Sequence, residues 1–495
     1  MTNRSLSPII AGVKFKALPW LTHRWQDGLL FLVLVAGGLA LAALPLTLAG
    51  LAVVGGTVVV ATLVRPQIGL YLLIFAVPFG SLREISLGGM TVGATEALIG
   101  LMLAAWLARL LAYPQGTLRW PPLTLPLLIF LAAALLSLPG ALSLRYSLKE
   151  LIKWIEVLGL YVLAANVLDR RRARTLVFCI LLAGTASALH GWYQFFTRSG
   201  PEGFLLYGRF MRAYGTFEQP NPYAGYLGLI APLALSLALA GWPFSPFKGE
   251  GAKGGGLVKL LFYGGALVTM VAAVAMSRSR GAWLGFALAA AAVIAARSRW
   301  GAVALAVVGG LGLALGSLPS APQALAQPLT DLLPYVRPFD VRGVEVTDAN
   351  FAVVERMAHW QAGWWMWAEH PWRGVGIGNY EPVYPAYYIP PWKEPLGHAH
   401  NTYLNVAAET GLIGLLAYLA LWGVAFWQTA RAIRHTSGWE RAASVGVLGV
   451  LVHLSAHNFF DNLFVHNMYA HVAILLGMLP ALTDVTTHRE NDATS

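Results

Sequence analysis

Apolar residues run through this chain in long blocks, each close to the length that crosses a hydrocarbon core of ~30 Å. The blocks at 28–44, 46–64, 68–80, 94–112, 123–139, 150–168, 175–196, 222–241, 257–276, 281–296, 300–318, 402–427, 442–459 and 466–484 predict helical spans. The third and fifth are short or flanked by proline, so the expected count is twelve to fourteen. Polar connectors between the blocks are short, with two exceptions. One covers 197–221; the other, Pro319 to His400, is longer than a connection without a role of its own usually is. Inside it, Phe351 to Glu369 reads as a helix carrying Trp360, Trp364, Trp365 and Trp367. Such a helix either lies in the plane of a membrane interface or packs on the ends of the spans. Pro371, Gly374, Gly376 and Gly378 then end it and permit tight turns. Gly249 to Gly256 reads as a flexible connector, and the tail from Asp484 as polar and disordered.

Composition agrees with the pattern. The chain is 57% hydrophobic and only 12% charged, whereas soluble domains carry about 25% charge. An all-α polytopic membrane protein follows. The net charge of +11 does not point to nucleic acid, because the cations sit in connectors, where they mark topology. With the N-terminus inside, inner segments hold twenty Lys and Arg and the short outer connectors hold nine. Asp169-Arg-Arg-Arg-Ala-Arg174 is the strongest marker. Both termini are therefore expected on the cytoplasmic side and the long loop outside. The first span is expected to be retained rather than cleaved as a signal peptide. The single cysteine, Cys179, lies in an apolar block, so neither a disulfide nor a thiol site is implied.

Ionisable residues at membrane depth are costly and mark candidate sites. Here Glu96, Lys153, Glu156, His190, His453, His457 and His471 all fall in the outer halves of spans, and Asp461, Asn462 and His466 fill the last outer connector. Each alone could snorkel to the interface. Together they describe a wet cavity open to one side, whereas a transporter places polar groups through the midplane. Two outer connectors add arginines: Arg209 and Arg212 before Gly215, and Arg278 and Arg280 in Ser277-Arg-Ser-Arg. Guanidinium pairs with diphosphate oxygens in bidentate fashion, although lipid headgroups offer similar partners. His398-Ala-His400-Asn401 supplies two imidazoles and an amide at the mouth of a span. Two ligands are a weak metal signal, so no metal or cofactor is expected; one imidazole suffices as a general base. Glu409 either lines the same cavity or is a satisfied polar group between helices.

Four segments also resemble the O-antigen ligase and polymerase superfamily. They are Arg212-Ala-Tyr-Gly-Thr-Phe-Glu-Gln-Pro-Asn221, Ser277-Arg-Ser-Arg-Gly-Ala-Trp-Leu-Gly285, Glu355-Arg356 through Trp360 to Gly378, and His398-Ala-His-Asn-Thr-Tyr-Leu-Asn-Val-Ala-Ala-Glu-Thr-Gly-Leu-Ile-Gly414. They come in the family's order and cover roughly Arg209 to Leu415.

The resemblance implies a multispanning helical bundle similar to the GT-C class, with one large periplasmic loop. Residues 1–318 would form the transmembrane bundle, 319–400 the loop, 401–484 the C-terminal spans and 485–495 a cytoplasmic tail. It also implies a metal-independent, inverting glycan transferase in the bacterial inner membrane. Its donor would be a glycan on undecaprenyl diphosphate, and its acceptor lipid A–core for a ligase or a growing glycan for a polymerase. Arg212 and Arg280 would hold the diphosphate and His400 would be the base. Arg209, Arg278, Asn221, Arg356, His398, Asn401 and Glu409 would line the substrates. A small-anion transporter, or a non-catalytic flippase partner, remains the alternative of a different class.

Overall fold

In the computed structural model, residues 32, 43–80, 84–87, 90–113, 118–206, 208–241, 256–316, 340–347 and 350–484 are described. The expected first span at 28–44, most of the glycine-rich connector, the start of the long loop and the tail from 485 fall outside them. The chain divides into two compact units, Met1–Val64 and Arg65–Ser495. In the first, helix α1 (Leu46–Val64) carries no charged residue, and its side chains are exposed on nearly every side, as suits a helix facing lipid.

The second unit is helical apart from two hairpins. In order it contains α2 (Pro66–Phe79), β1 (Glu84–Leu87), β2 (Met90–Gly93), α3 (Ala94–Ala112), α4 (Thr124–Ser137), α5 (Leu144–Val167), α6 (Arg170–Thr197), β3 (Leu205–Leu206) and β4 (Phe210–Met211). Next come α7 (Pro220–Gly228), α8 (Ala231–Gly241), α9 (Gly256–Ser277), α10 (Arg280–Arg297), α11 (Arg299–Gly316), α12 (Phe351–Glu369) and α13 (Tyr380–Val383). The last three are α14 (Thr402–His435), α15 (Gly438–His457) and α16 (Met468–Thr483).

The protein is an all-α polytopic membrane protein. Seven described helical stretches are long and apolar enough to cross a bilayer: α1, α3, α6, the α7–α8 stretch, α9, α10 and α14; α2, α4 and α16 are shorter apolar helices. The remaining expected spans are α5, α11, α15 and the block at 28–44. Of these, α5 bears Arg145, Lys149, Glu150, Lys153 and Glu156, so it is amphipathic rather than apolar throughout. Local signals set the helix starts. The Asp169 side chain accepts the Arg172 N–H at 2.8 Å, and Asn401 accepts the Leu404 N–H at 3.0 Å, each satisfying one of the open donors of a first turn.

Within the bundle α15 packs against α8 and α10, α16 against α5, and α4 against α14. Small residues let these helices approach. A Cβ on Gly228 would fall 2.0 Å from Cε1 of His453, so that ring fills the notch the glycine leaves.

The long loop docks onto a break in a span. Helix α14 is interrupted at Gly411, whose φ of 64° and ψ of −166° lie outside the helical range. The break frees backbone groups on both sides, and the loop satisfies them. Leu412 N–H donates to Pro371 O at 2.7 Å and Ile413 N–H to Trp372 O at 3.4 Å, while Ala408 O and Glu409 O each accept loop N–H groups, from Val375 and Gly376, at 2.9 Å. Four backbone groups at the break are thereby paired, as irregular backbone within a span requires. The loop's own core is formed by Ala362, Met366, Tyr380 and Tyr384 against Ala399 and Ala408. Helix α12 thus spans the expected residues and packs inward through its small face, and Trp364 stays 55% exposed.

Candidate functional site

The end of the loop and the α15–α16 connector are stitched together at the start of α14. Thr402 N–H donates to Asn458 O at 2.8 Å, and the Thr402 hydroxyl to Asp461 O at 3.1 Å. Just before, His400 adopts a left-handed conformation, φ 51°, uncommon for a residue with a Cβ. Three contacts hold that turn. His400 N–H donates to Nδ1 of His398 at 3.0 Å, Trp360 Nε1–H donates to His400 O at 3.2 Å, and Ala399 N–H donates to Asn405 Oδ1 at 3.0 Å. Strain maintained by several neighbours is common at functional sites.

This stitching puts a carboxylate between two imidazoles. Asp461 Oδ1 lies 3.6 Å from His400 Nδ1 and 3.8 Å from His398 Nε2, in a setting where all three side chains are largely buried. These are ion-pair distances rather than closed hydrogen bonds. His359 meets the edge of His400 with ring centroids 5.3 Å apart, and His457 lies one helical turn before Asp461. Burial, then the neighbouring His400, lower His398 to about 4, with Asp461 opposing and Lys153 and Arg356 assisting. Burial, then His400 and His398, lower His359 to about 3. Burial raises the Asp461 carboxyl, but the contact with His400 and the charges of His398, His400 and His457 outweigh it and hold Asp461 well below the usual carboxylate range. At neutral pH the site therefore contains an ionised Asp461 beside neutral His359 and His398.

One imidazole, His398, has its tautomer fixed. A neutral ring has one donor and one acceptor nitrogen, and Nδ1 accepts from the His400 backbone, so Nε2 carries the proton. His398, His400 and Asp461 offer ligand atoms within 4.8 Å of one another, and Asp461 is the third ligand that the His-x-His pair lacked in sequence. A metal-bound imidazole donates its second N–H outward, whereas His398 accepts there. As arranged, His398 offers the cluster a proton rather than a lone pair.

The arginines form a second group. Arg212 is half-buried; its Nε–H donates to Ser277 O at 2.9 Å, and its Nη2 reaches Asn221 Oδ1 at 3.5 Å. Burial, then Arg356, then Arg280, lower its proton affinity, which places the Arg212 guanidinium in the field of the other two. Among the described residues no salt bridge joins any of the three to a carboxylate. Arg356 donates through Nε to Phe460 O at 3.2 Å, one residue before Asp461, and its charge reaches His398. It therefore links the arginine group to the histidine cluster.

The structure brings Arg212, Arg280, Arg356 and Asn221 together, and His398 and His400 with Asp461. Asn401 serves as a helix cap. Arg209 and Arg278 are exposed at a hairpin turn and at the α9–α10 corner. Glu409 takes the alternative role: buried, it accepts the Tyr380 N–H at 3.1 Å and anchors the loop. Glu96 accepts from Asn467 Nδ2 at 2.7 Å, Glu156 from the Tyr469 hydroxyl at 2.5 Å, and Lys153 pairs with Glu150 at 2.6 Å, so each of these groups has a polar partner within the helical bundle. Asp461 and His359 were not foreseen as neighbours of His400. The available signal was the polar run Asp461-Asn462 in a short connector.

Residues 265–419 match the family model described as O-antigen ligase. That segment runs from α9 through the loop into α14 and contains Arg278, Arg280, Arg356, His398, His400, Asn401 and Glu409. No curated protein matches the chain. The match covers about a third of the chain, and over it the chain is similar to the O-antigen ligases, a family of glycan-transfer enzymes.

Proposed function

We propose that the protein transfers a glycan from undecaprenyl diphosphate to the hydroxyl of an acceptor, lipid A–core for a ligase, at the periplasmic face of the bacterial inner membrane. The observation that carries this reading is the adjacency of three guanidiniums, without acidic partners among the described residues, to a His400–Asp461 pair. Arg212, Arg280 and Arg356 would take the diphosphate and offset the charge that grows as it leaves. Asp461 would orient His400 by accepting from Nδ1–H, leaving Nε2 as base; such contacts are often long until substrate closes the site. The acceptor hydroxyl attacks the anomeric carbon, its proton passes to Nε2, and the bond from that carbon to the phosphate oxygen breaks with inversion. The imidazolium then returns the proton to the departing diphosphate. No step requires a metal. Both chain termini would lie in the cytoplasm, and the 319–400 loop would cover the site in a GT-C-like bundle.

The test is transfer by purified protein in lipid, given an undecaprenyl-diphosphate glycan and, side by side, lipid A–core and growing-glycan acceptors. Ligase action predicts product on lipid A–core, its loss in His400→Ala, and its persistence in EDTA. Product on the growing glycan alone would assign a polymerase instead.

A further inference from the structure

His398 stands two residues before the proposed base and makes two contacts that a substrate-binding residue would not need. Its Nδ1 accepts the His400 N–H at 3.0 Å, and its Nε2 faces, at 3.8 Å, the same Asp461 oxygen that His400 Nδ1 approaches at 3.6 Å. The first contact helps hold His400 at φ 51°. The second divides one carboxylate between two N–H donors. The side chain is 15% exposed and its ring lies 4.5 Å from that of His400, so little room remains on this side for a ligand.

The geometry points to His398 as a positioning residue that sets both the backbone turn of His400 and the share of Asp461 available to it. This rests on the proposed transferase reading. Asp461 stabilises a His400 imidazolium, and an N–H from His398 on the same oxygen weakens that stabilisation by spreading the negative charge. Other charged or titratable groups face the cluster: His359 and Arg356 from α12, Lys153 from α5 and His457 from α15. All of them remain in place in both variants, so His398 is the one group by which each variant differs from the native chain. The arrangement leaves His400 only a share of the Asp461 charge.

Two substitutions separate the two contacts. In His398→Asn the side-chain oxygen can accept the N–H two residues on, as in an Asx turn, but the shorter side chain does not reach Asp461. In His398→Ala both contacts go. The pH profile of kcat/KM for glycan transfer in lipid should show its acid limb moved to higher pH, by about one unit, in both variants. The fall in kcat should be larger in His398→Ala, which also loses the turn. A second readout does not need turnover: the His400 ring titrated by NMR in nanodiscs, assigned by its absence in His400→Ala, should take up its proton at higher pH in both variants. If His400 titrates identically in all three proteins, the inference is wrong. If the native chain transfers nothing while the NMR shift appears, the transferase reading fails and the positioning of His400 stands.

Discussion

The Tyr380 hydroxyl lies 3.1 Å from Nδ1 of His359 and 3.1 Å from the carbonyl oxygen of the same residue. A carbonyl can only accept, so the phenolic proton goes there and Nδ1 brings its own proton to the pair. His359 is thereby fixed as one neutral tautomer, stacked on Tyr384 with centroids 4.8 Å apart. A loop histidine has been enclosed by loop tyrosines beside His400.

This enclosure has a pH consequence. An unfolded histidine takes up a proton near pH 6.5, whereas burial holds His398 to about 4 and His359 to about 3. Between those values the unfolded chain binds more protons than the native one, so stability is lost as pH falls below about 6.5. The slope is about 1.4 kcal/mol per pH unit for each group. Melting curves at pH 7.5 and 5 should show the native protein losing more stability on acidification than His359→Phe. Equal losses would remove His359 from this account.

Asp461→Asn keeps the size of the side chain but removes the charge proposed to orient His400. Loss of the equivalent carboxylate from an imidazole base costs about 10⁴-fold in kcat in a protease triad. We expect a fall of about 10²–10⁴-fold here, with the donor KM changed by only a few fold. Steady-state transfer at varied donor checks it, and a pure KM effect would mean that Asp461 binds substrate instead.

Arg212→Lys retains the charge and loses the planar fork that contacts Ser277 and Asn221. Donor KM should rise by about tenfold or more, corresponding to one charge-assisted hydrogen bond of about 1.5–3 kcal/mol. Full activity in the lysine variant would show that only net charge matters at this position.

Gly411→Ala places a Cβ 2.2 Å from the Trp372 carbonyl carbon at a positive φ. The three nearest atoms are all backbone of Trp372 and Arg373, so nothing flexible can yield. Strain of this kind adds to the loss of the loop contacts, and a destabilisation above about 3 kcal/mol is expected. Thermal unfolding in lipid measures it, alongside Gly423→Ala, where a Cβ meets nothing within 4 Å. Equal melting temperatures for the two variants would contradict the docking described at α14.

Much of the bundle was legible in the sequence because apolar length and flanking cations act locally. Helix α12 appears at its expected bounds, Phe351 to Glu369, since Pro371 and the glycines after it close a clear apolar period. Helix α5 begins at Leu144, earlier than its apolar block, because its charged first turns are helical too. The site was legible in part. His400, Arg212, Arg280 and Arg356 lie in recognisable segments, whereas Asp461 follows His400 after two full helices and becomes its neighbour only through tertiary packing. For Glu409 the position alone left two readings open, a cavity group or a satisfied polar group between helices. Its partner, the Tyr380 backbone, becomes visible only once the loop is folded. The break at Gly411 had no proline to announce it, and Gly411 sits inside an otherwise helical pattern.

That break also bears on how the chain enters the bilayer. Residues 340–400 are synthesised before α14, yet the carbonyls of Ala408 and Glu409 and the N–H groups of Leu412 and Ile413 find partners only when the loop folds back on them. Until then this span is either a straight helix or a costly one. Its final bent form is therefore a product of loop docking, completed by the segment that was synthesised ahead of it.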